Sequence, residues 1–216
     1  NNKTTLINIT SDKVYFNNET EKSFTEEDRL CGKDPYSNSK SCVELLSYGF
    51  LNSFFKNSNI KIRNARSGNV IGGGDWHKGR LFPDIIQAHN KKKNLEIKNL
   101  QSVRPWQYIL DCIFGYLILA QKSDQLKLSD KNFAFNFSSG KKNEISVKKL
   151  IEIFIKVSNT KTLKIINSSL LLKESKILRL NSKKSKDILN WYSEYNIHET
   201  IKHSYEWYDN FYKNHD

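Results

Sequence analysis

The 216 residues suffice for one large domain or two small ones with a sizeable core. A hydrophobic content of 38% with 12% aromatics excludes a disordered chain, and no apolar run approaches the length of a membrane span. The net charge of +12 raises nucleic-acid binding. The lysines, however, are spread along a chain equally rich in Asn and Ile, which reads as a composition-wide skew rather than a binding stripe. Lys91-Lys92-Lys93 and Lys183-Lys184 read as solvated helix ends. Cys31, Cys42 and Cys112 are far apart and form no Cys-x-x-Cys pair. With no signal peptide opening the sequence, they read as reduced thiols of a cytoplasmic protein.

In chain order, residues 5–10 form a short β-rich apolar run, the pattern of a buried parallel strand. A polar loop follows up to Pro35. From 37 to about 56 the pattern turns helical, with broad apolar coverage from Val43, Leu45, Leu46, Phe50, Leu51 and Phe54. Residues 60–66 alternate and read as the next strand, which makes a βαβ unit. Gly72-Gly73-Gly74 breaks the chain, and a helix over 82–89 starts near Pro83. A short strand at 94–98 and a helix from Asp111, with that residue as N-cap, come next. A strand at 132–137, a serine-capped amphipathic helix over 146–157, a strand at 162–166 and an aromatic-rich helix over 197–212 complete the chain.

The most informative stretch is Tyr36-Ser37-Asn38-Ser39-Lys40. A tyrosine four residues before a lysine puts both on one helix face, about one turn apart, where the ammonium favours the phenolate. Ser11-Asp12-Lys13 closes the first strand, at the sheet edge where ligands of open α/β sheets bind. A hydroxyl, an acid and an amine grouped there, with Tyr36 and Lys40 following, read as a catalytic cluster rather than a polar turn.

Five segments occur in order: Thr-Ser-Asp-Lys-Val-Tyr (10–15), Asp-Pro-Tyr-Ser-Asn-Ser-Lys (34–40), Arg-Ser-Gly-Asn-Val-Ile-Gly-Gly-Gly-Asp-Trp (66–76), Arg-Leu-Phe-Pro-Asp (80–84) and Arg-Pro-Trp-Gln (104–107). Together they resemble the CDP-glucose 4,6-dehydratases of the extended short-chain dehydrogenase/reductase family, over nearly the whole chain and most strongly from 10 to 111. Related dTDP-glucose dehydratases carry Asp-Glu where this chain has Asp12-Lys13, so the lysine is similar to the CDP-sugar branch. The resemblance implies bound NAD, with Tyr36 and Lys40 as cofactor-binding and catalytic residues. Tyr36 would take the proton of the sugar 4-hydroxyl, and Lys40 would hold the nicotinamide ribose. Ser11 would bond the 4-oxygen, and Asp12 would protonate the departing 6-hydroxyl. Lys13 would act either as base toward the C5 proton or as enolate stabiliser. Asn69 would contact the substrate phosphates, Arg104 would clamp the diphosphate, and Leu81 and Pro83 would line the nucleotide-base side. A homodimer that pairs long helices, including 37–56, is implied as well.

The resemblance sets the expected fold as α/β: the C-terminal part of a Rossmann-type parallel sheet (1–71 and 104–138) with a small mixed α/β substrate-binding domain (72–103 and 139–216). No glycine-rich turn stands between a strand and a helix to approach a dinucleotide pyrophosphate. The chain also lacks methionine, at position 1 included, and opens straight into a strand. Both features read as a fragment whose N-terminal part, with the adenosine half of the cofactor site, lies elsewhere. A sugar-nucleotide epimerase or reductase on the same scaffold, or a non-catalytic fragment, are the competing expectations. Three decoys are set aside. Gly72-Gly73-Gly74 lacks the Gly-Lys-Ser/Thr of a phosphate loop. His198 and His203 are five residues apart, about 140° around a helix, which disfavours a metal pair. The aromatic run 205–212 reads as packing surface. Residues 174–185 resemble the family's C-terminal tract without a catalytic role, and Asn190-Trp191 stands where Gly-Trp is usual.

Overall fold

Alternation along three short strands organises the molecule. The structure is a computed structural model that describes residues 3–19, 21–127, 133–160, 163–167 and 177–215. Strand β1 (Thr4–Ile9) is followed by β2 (Ser23–Phe24), helix α1 (Pro35–Phe50), which continues into a π-helical turn over Leu51–Phe55, and strands β3 (Ile60–Ser67) and β4 (Val70–Ile71). Then come α2 (Leu81–Asn90), β5 (Leu95–Ile97), β6 (Val103–Pro105), β7 (Gln107–Tyr108), α3 (Ile109–Lys122), β8 (Ala134–Phe137) and β9 (Glu144–Ser146). The remaining elements are α4 (Val147–Val157), β10 (Ile165–Asn167), β11 (Arg179–Leu180), α5 (Lys183–Leu189) and α6 (Ile197–His215).

The central sheet is parallel, in the order β1-β3-β8. Its register runs from Thr4 opposite Ile60 to Ile9 opposite Ala65, and from Asn64 opposite Ala134 to Ser67 opposite Phe137. One set of side chains, with Ala65, Phe135 and Phe137 buried and Ile7 beside them, packs with Leu119 of α3 and with Trp191. The other set, Asn8, Thr10, Asn64 and Arg66, carries polar groups that bond to α1. A second core joins Phe82, Ile85 and Ile86 of α2, Leu150, Ile151 and Phe154 of α4, and Ile201 and Tyr208 of α6.

The expected helices and strands form, with instructive shifts. α1 begins at Pro35 rather than Ser37. Asp34 caps it by accepting the Ser37 amide at 3.0 Å, and proline at the first helical position needs no amide partner. Its apolar stripe faces outward: Val43, Leu45, Leu46, Phe50 and Phe54 are exposed, and of the expected set only Leu51 is buried. Asp111 is not an N-cap. α3 starts at Ile109 directly after β7, and the Asp111 carboxylate instead accepts from Ser193 Oγ (2.7 Å) and the amides of Glu194 (3.2 Å) and Tyr195 (3.3 Å). Lys183 and Lys184 open α5 rather than end a helix. The Lys184 ammonium lies 4.4 Å from the Phe135 ring centroid and donates to the Ala134 carbonyl, and burial pushes its pKa down. The strand expected from Thr162 is seen at Ile165–Asn167, Thr162 itself lying outside the described residues, as does Glu174. Asn190 adopts φ +55°, the left-handed helix terminus that asparagine tolerates best after glycine, which accounts for Asn-Trp in place of Gly-Trp.

Candidate active site

The carboxyl ends of β1 and β3 meet the first turns of α1. After β1 the chain tightens into a 3-10 turn over Asp12–Val14, capped by Ser11, whose Oγ accepts the Lys13 amide at 3.2 Å and donates to Asp12 Oδ1 at 3.0 Å. Both side chains are buried, Asp12 at 4% exposure. Burial pushes the Asp12 carboxyl above its ordinary range, against the Ser11 hydrogen bond and the charges of Lys13 and Arg104. Such a group stays protonated to higher pH and can deliver a proton. Gly68, just past β3, makes room for it: a Cβ there would fall 1.9 Å from Asp12 Oδ2.

Opposite stands the tyrosine–lysine pair. Tyr36 is half-exposed at 54%, in the first turn of α1. The ammonium groups of Lys13 and Lys40 each lie 5.9 Å from its ring centroid. An accessible phenol thus sits beside two cations, next to a buried hydroxyl–carboxyl couple.

Ser11, Asp12, Lys13, Tyr36 and Lys40 therefore come together. Arg104, buried in β6, donates to its neighbour's carbonyl (Val103 O, 2.8 Å) and exerts its charge on Asp12. Asn69 follows Gly68 with φ +51°, and its carbonyl accepts the Gln107 amide at 3.2 Å, which ties the end of β3 to β7. Leu81 and Pro83 lie in the first turn of α2, Pro83 buried and Leu81 packed on the second core. No hydrogen bond or ring contact among the described residues joins those two to the Tyr36–Asp12 cluster.

Sequence reasoning missed the support beneath the site. Glu44, one turn beyond Lys40, is 1% exposed and accepts the Thr10 hydroxyl at 2.6 Å. Arg66 Nε reaches its two oxygens at 2.9 and 3.0 Å, its Nη2 bonds Oε2, and Asn64 Nδ2 lies 3.4 Å from Oε2. The guanidinium continues to Tyr15 Oη (2.8 Å), which donates to Asn136 Oδ1 at 2.6 Å. The glutamate and tyrosine raise the Arg66 pKa further, against burial. The available signal was a stripe, Tyr36, Lys40 and Glu44 at every fourth position, facing a strand that carries an arginine. Gly68 left no comparable trace.

The profile of the family described as GDP-mannose 4,6 dehydratase matches residues 1–204. The chain belongs to that family. A CDP-glucose 4,6-dehydratase of Salmonella typhimurium is 33% identical over 210 residues, 94% of this chain and 58% of the relative. The chain thus spans somewhat more than half the length of that curated relative. Among solved structures, a dTDP-glucose 4,6-dehydratase of Bacillus anthracis in complex with NAD superimposes with a TM-score of 0.77 at 18% identity, over 95% of this chain and 62% of that one. A UDP-glucuronic acid 4-epimerase of Bacillus cereus in complex with UDP-glucuronic acid and NAD gives 0.80 at 20%, over 96% and 62%. At such identities the superpositions show the fold: the Rossmann-like α/β arrangement expected from the sequence.

Proposed function

We propose that the full-length protein is a sugar-nucleotide 4,6-dehydratase acting on CDP-glucose, and that Ser11, Asp12, Lys13, Tyr36 and Lys40 carry the chemistry. The observation that carries this reading is Asp12, buried and biased toward its protonated form, beside Lys13, whose ammonium lies 5.9 Å from the ring of the accessible Tyr36. Exchange of a hydroxyl's configuration at C4 needs no such acid, whereas loss of the 6-hydroxyl as water does. Residues 1–71 and 104–138 would form the part of a Rossmann domain that presents the cluster, and 72–103 with 139–216 the substrate-binding part.

The residues fit a nicotinamide cofactor, since an ammonium and a phenol hydroxyl are available together at the open end of the sheet. Lys40 and Tyr36 would hold its ribose; when bound, NAD supplies a hydride acceptor for C4 and a hydride donor for C6. Tyr36 removes the 4-hydroxyl proton, with the Lys40 and Lys13 side chains each 5.9 Å from its ring centroid. Ser11 donates to the C4 oxygen as it becomes a ketone, which acidifies the C5 proton. Asp12 gives its proton to the leaving 6-hydroxyl. Lys13 either accepts the C5 proton as the neutral amine or, as the ammonium, stabilises the enolate. Arg104 and Asn69 would take the diphosphate, and Leu81 and Pro83 the base side.

In this reading the protein is cytoplasmic and binds neither nucleic acid nor membrane; no helix among the described residues is long and apolar enough to cross a bilayer. It pairs as a homodimer through the outward apolar face of α1, Leu45, Leu46 and Phe50. The 216 residues alone do not turn over, because the pyrophosphate turn of the cofactor site is supplied from outside them. The alternative is a 4-epimerase or reductase on the same scaffold. Incubating the full-length protein with CDP-glucose and NAD decides between them. The alkali-developed absorbance of a 4-keto sugar is expected; an epimerised sugar without keto product would sink the dehydratase reading.

A further inference from the structure

Over the turns that bear Tyr36, Lys40 and Glu44, α1 is held to the sheet by directional bonds, and the apolar contacts of Tyr48 and Leu51 with Phe133 and Ile62 lie beyond them at its far end. Its buried residues are Ser37, Ser41 and Glu44, while Val43, Leu45, Leu46 and Phe50 face away. Ser41 Oγ donates to the Val14 carbonyl at 2.8 Å and accepts the Gly32 amide at 3.1 Å. Asn8 Nδ2 donates to Ser47 Oγ at 3.2 Å. Glu44 makes the strongest link, to Thr10 and Arg66 together. Thr10 immediately precedes Ser11, and Arg66 stands two residues before Gly68, which walls Asp12. A single carboxylate therefore ties the Tyr36–Lys40 helix to both strand ends that form the opposite side of the site.

Apolar contact is non-directional, whereas a guanidinium fork on a carboxylate fixes rotation and translation at once. A buried ion pair seldom stabilises a fold more than apolar residues of equal volume would. The arrangement around Glu44 is thus better explained by the geometry it enforces. We propose that Glu44, clamped by Arg66 and Thr10, is a positioning residue that sets the distance between Tyr36–Lys40 and Ser11–Asp12. In its catalytic consequence the proposal rests on the dehydratase reading above.

The test uses the full-length, NAD-loaded protein. Glu44→Asp keeps the charge and shortens the arm by one methylene, so Thr10 and Arg66 cannot both be held with α1 in place. The turnover of CDP-glucose is expected to fall about a hundredfold, the consequence of a displacement near 1 Å. KM is expected to stay within about twofold, and NAD bound per folded chain to stay unchanged, which a loss of stability alone would not produce. Should that variant not fold, Glu44→Gln/Arg66→Met leaves no buried charge unpaired and carries the same expectation. A folded, NAD-replete variant with turnover within about twofold of the parent overturns the proposal. So does a crystal structure in which α1 superimposes on that of the parent, where a shift of about 1 Å between Tyr36 and Ser11 is expected. The crystallographic result decides the positioning claim even if the parent ignores CDP-glucose, an outcome that would overturn the dehydratase reading alone.

Discussion

The two faces of the β1-β3-β8 sheet differ in chemistry toward the carboxyl ends of the strands, although the α1 face also holds an apolar cluster of Leu51, Ile62 and Phe133 farther back. Toward α3, Ile7, Ala65, Phe135 and Phe137 meet Leu119 and Trp191 in a dry cluster. Even Arg63, a cation on that side, donates to the carbonyls of Ser123 and Leu126 at the end of α3 (3.3 and 3.1 Å), where a positive charge complements the helix dipole. Toward α1, the same strands present Asn8, Thr10, Asn64 and Arg66, joined through Glu44. Non-directional packing on one face supplies stability; directional bonding on the other supplies geometry, and the candidate site sits on the second. Perturbing the two faces should therefore separate activity from stability.

The largest expected effect is on the α1 side with no loss of fold. Tyr36→Phe in the full-length protein should lower dehydration of CDP-glucose about a thousandfold. Because that side chain is half-exposed, the melting temperature should barely move. Asp12→Asn should cost activity about a hundredfold or more while raising the melting temperature at pH 7. The sign follows from its raised pKa: above the ordinary 3.8 the unfolded chain sheds this proton while the folded protein retains it, so stability falls as pH rises toward the raised value. The gain should accordingly vanish when both proteins are melted at pH below 3.8.

Next come changes that test the faces directly by denaturant unfolding. Arg66→Met strands the Glu44 charge and should cost about 3–5 kcal/mol, whereas neutralising both partners together should cost little. On the α3 face no such rescue exists. Leu119→Ala should cost about 2–5 kcal/mol through the cavity it leaves, with turnover of the folded fraction unchanged. Gly68→Ala is smaller in stability, about 1–3 kcal/mol of overpacking. It should depress activity sharply, since the new methyl meets the Asp12 carboxylate. The smallest effect belongs to the helix cap: Asp34→Ala should cost about 1 kcal/mol. Bonds from the Ser37 hydroxyl and amide hold Asp34 below its ordinary pKa. The cap's contribution is therefore complete above pH 3.8 and lost as pH falls through the lowered value.

The same contrast explains what the sequence disclosed. Apolar periodicity marks elements that bury grease, so β1, β3, α2 and α4 were legible, and the Tyr36–Lys40 and Ser11-Asp12-Lys13 spacings exposed the cluster. Periodicity does not say which side of a helix meets the sheet where it docks by polar groups: apolar coverage marks α1 as a helix, and those residues face out. Two-residue strands such as β4, β7 and β11 leave no pattern to detect. Asp111 looked like a cap because it opens an apolar run, yet its partners lie more than 80 residues away, near Ser193. Glu44 shares the spacing of Tyr36 and Lys40 but its partners do not show in it, and one-dimensional spacing carries no record of the approach of Gly68 to Asp12.

In the proposed reaction of the full-length protein one site removes hydrogen from C4 and returns it at C6, with Asp12 assisting loss of the hydroxyl between. CDP-glucose carrying deuterium at C4, incubated with the full-length protein and followed by mass spectrometry and NMR, tests it most directly. A 4-keto-6-deoxy sugar with the deuterium at C6 is expected. Deuterium remaining at C4 of an epimerised sugar, or a keto product without deuterium at C6, would contradict it.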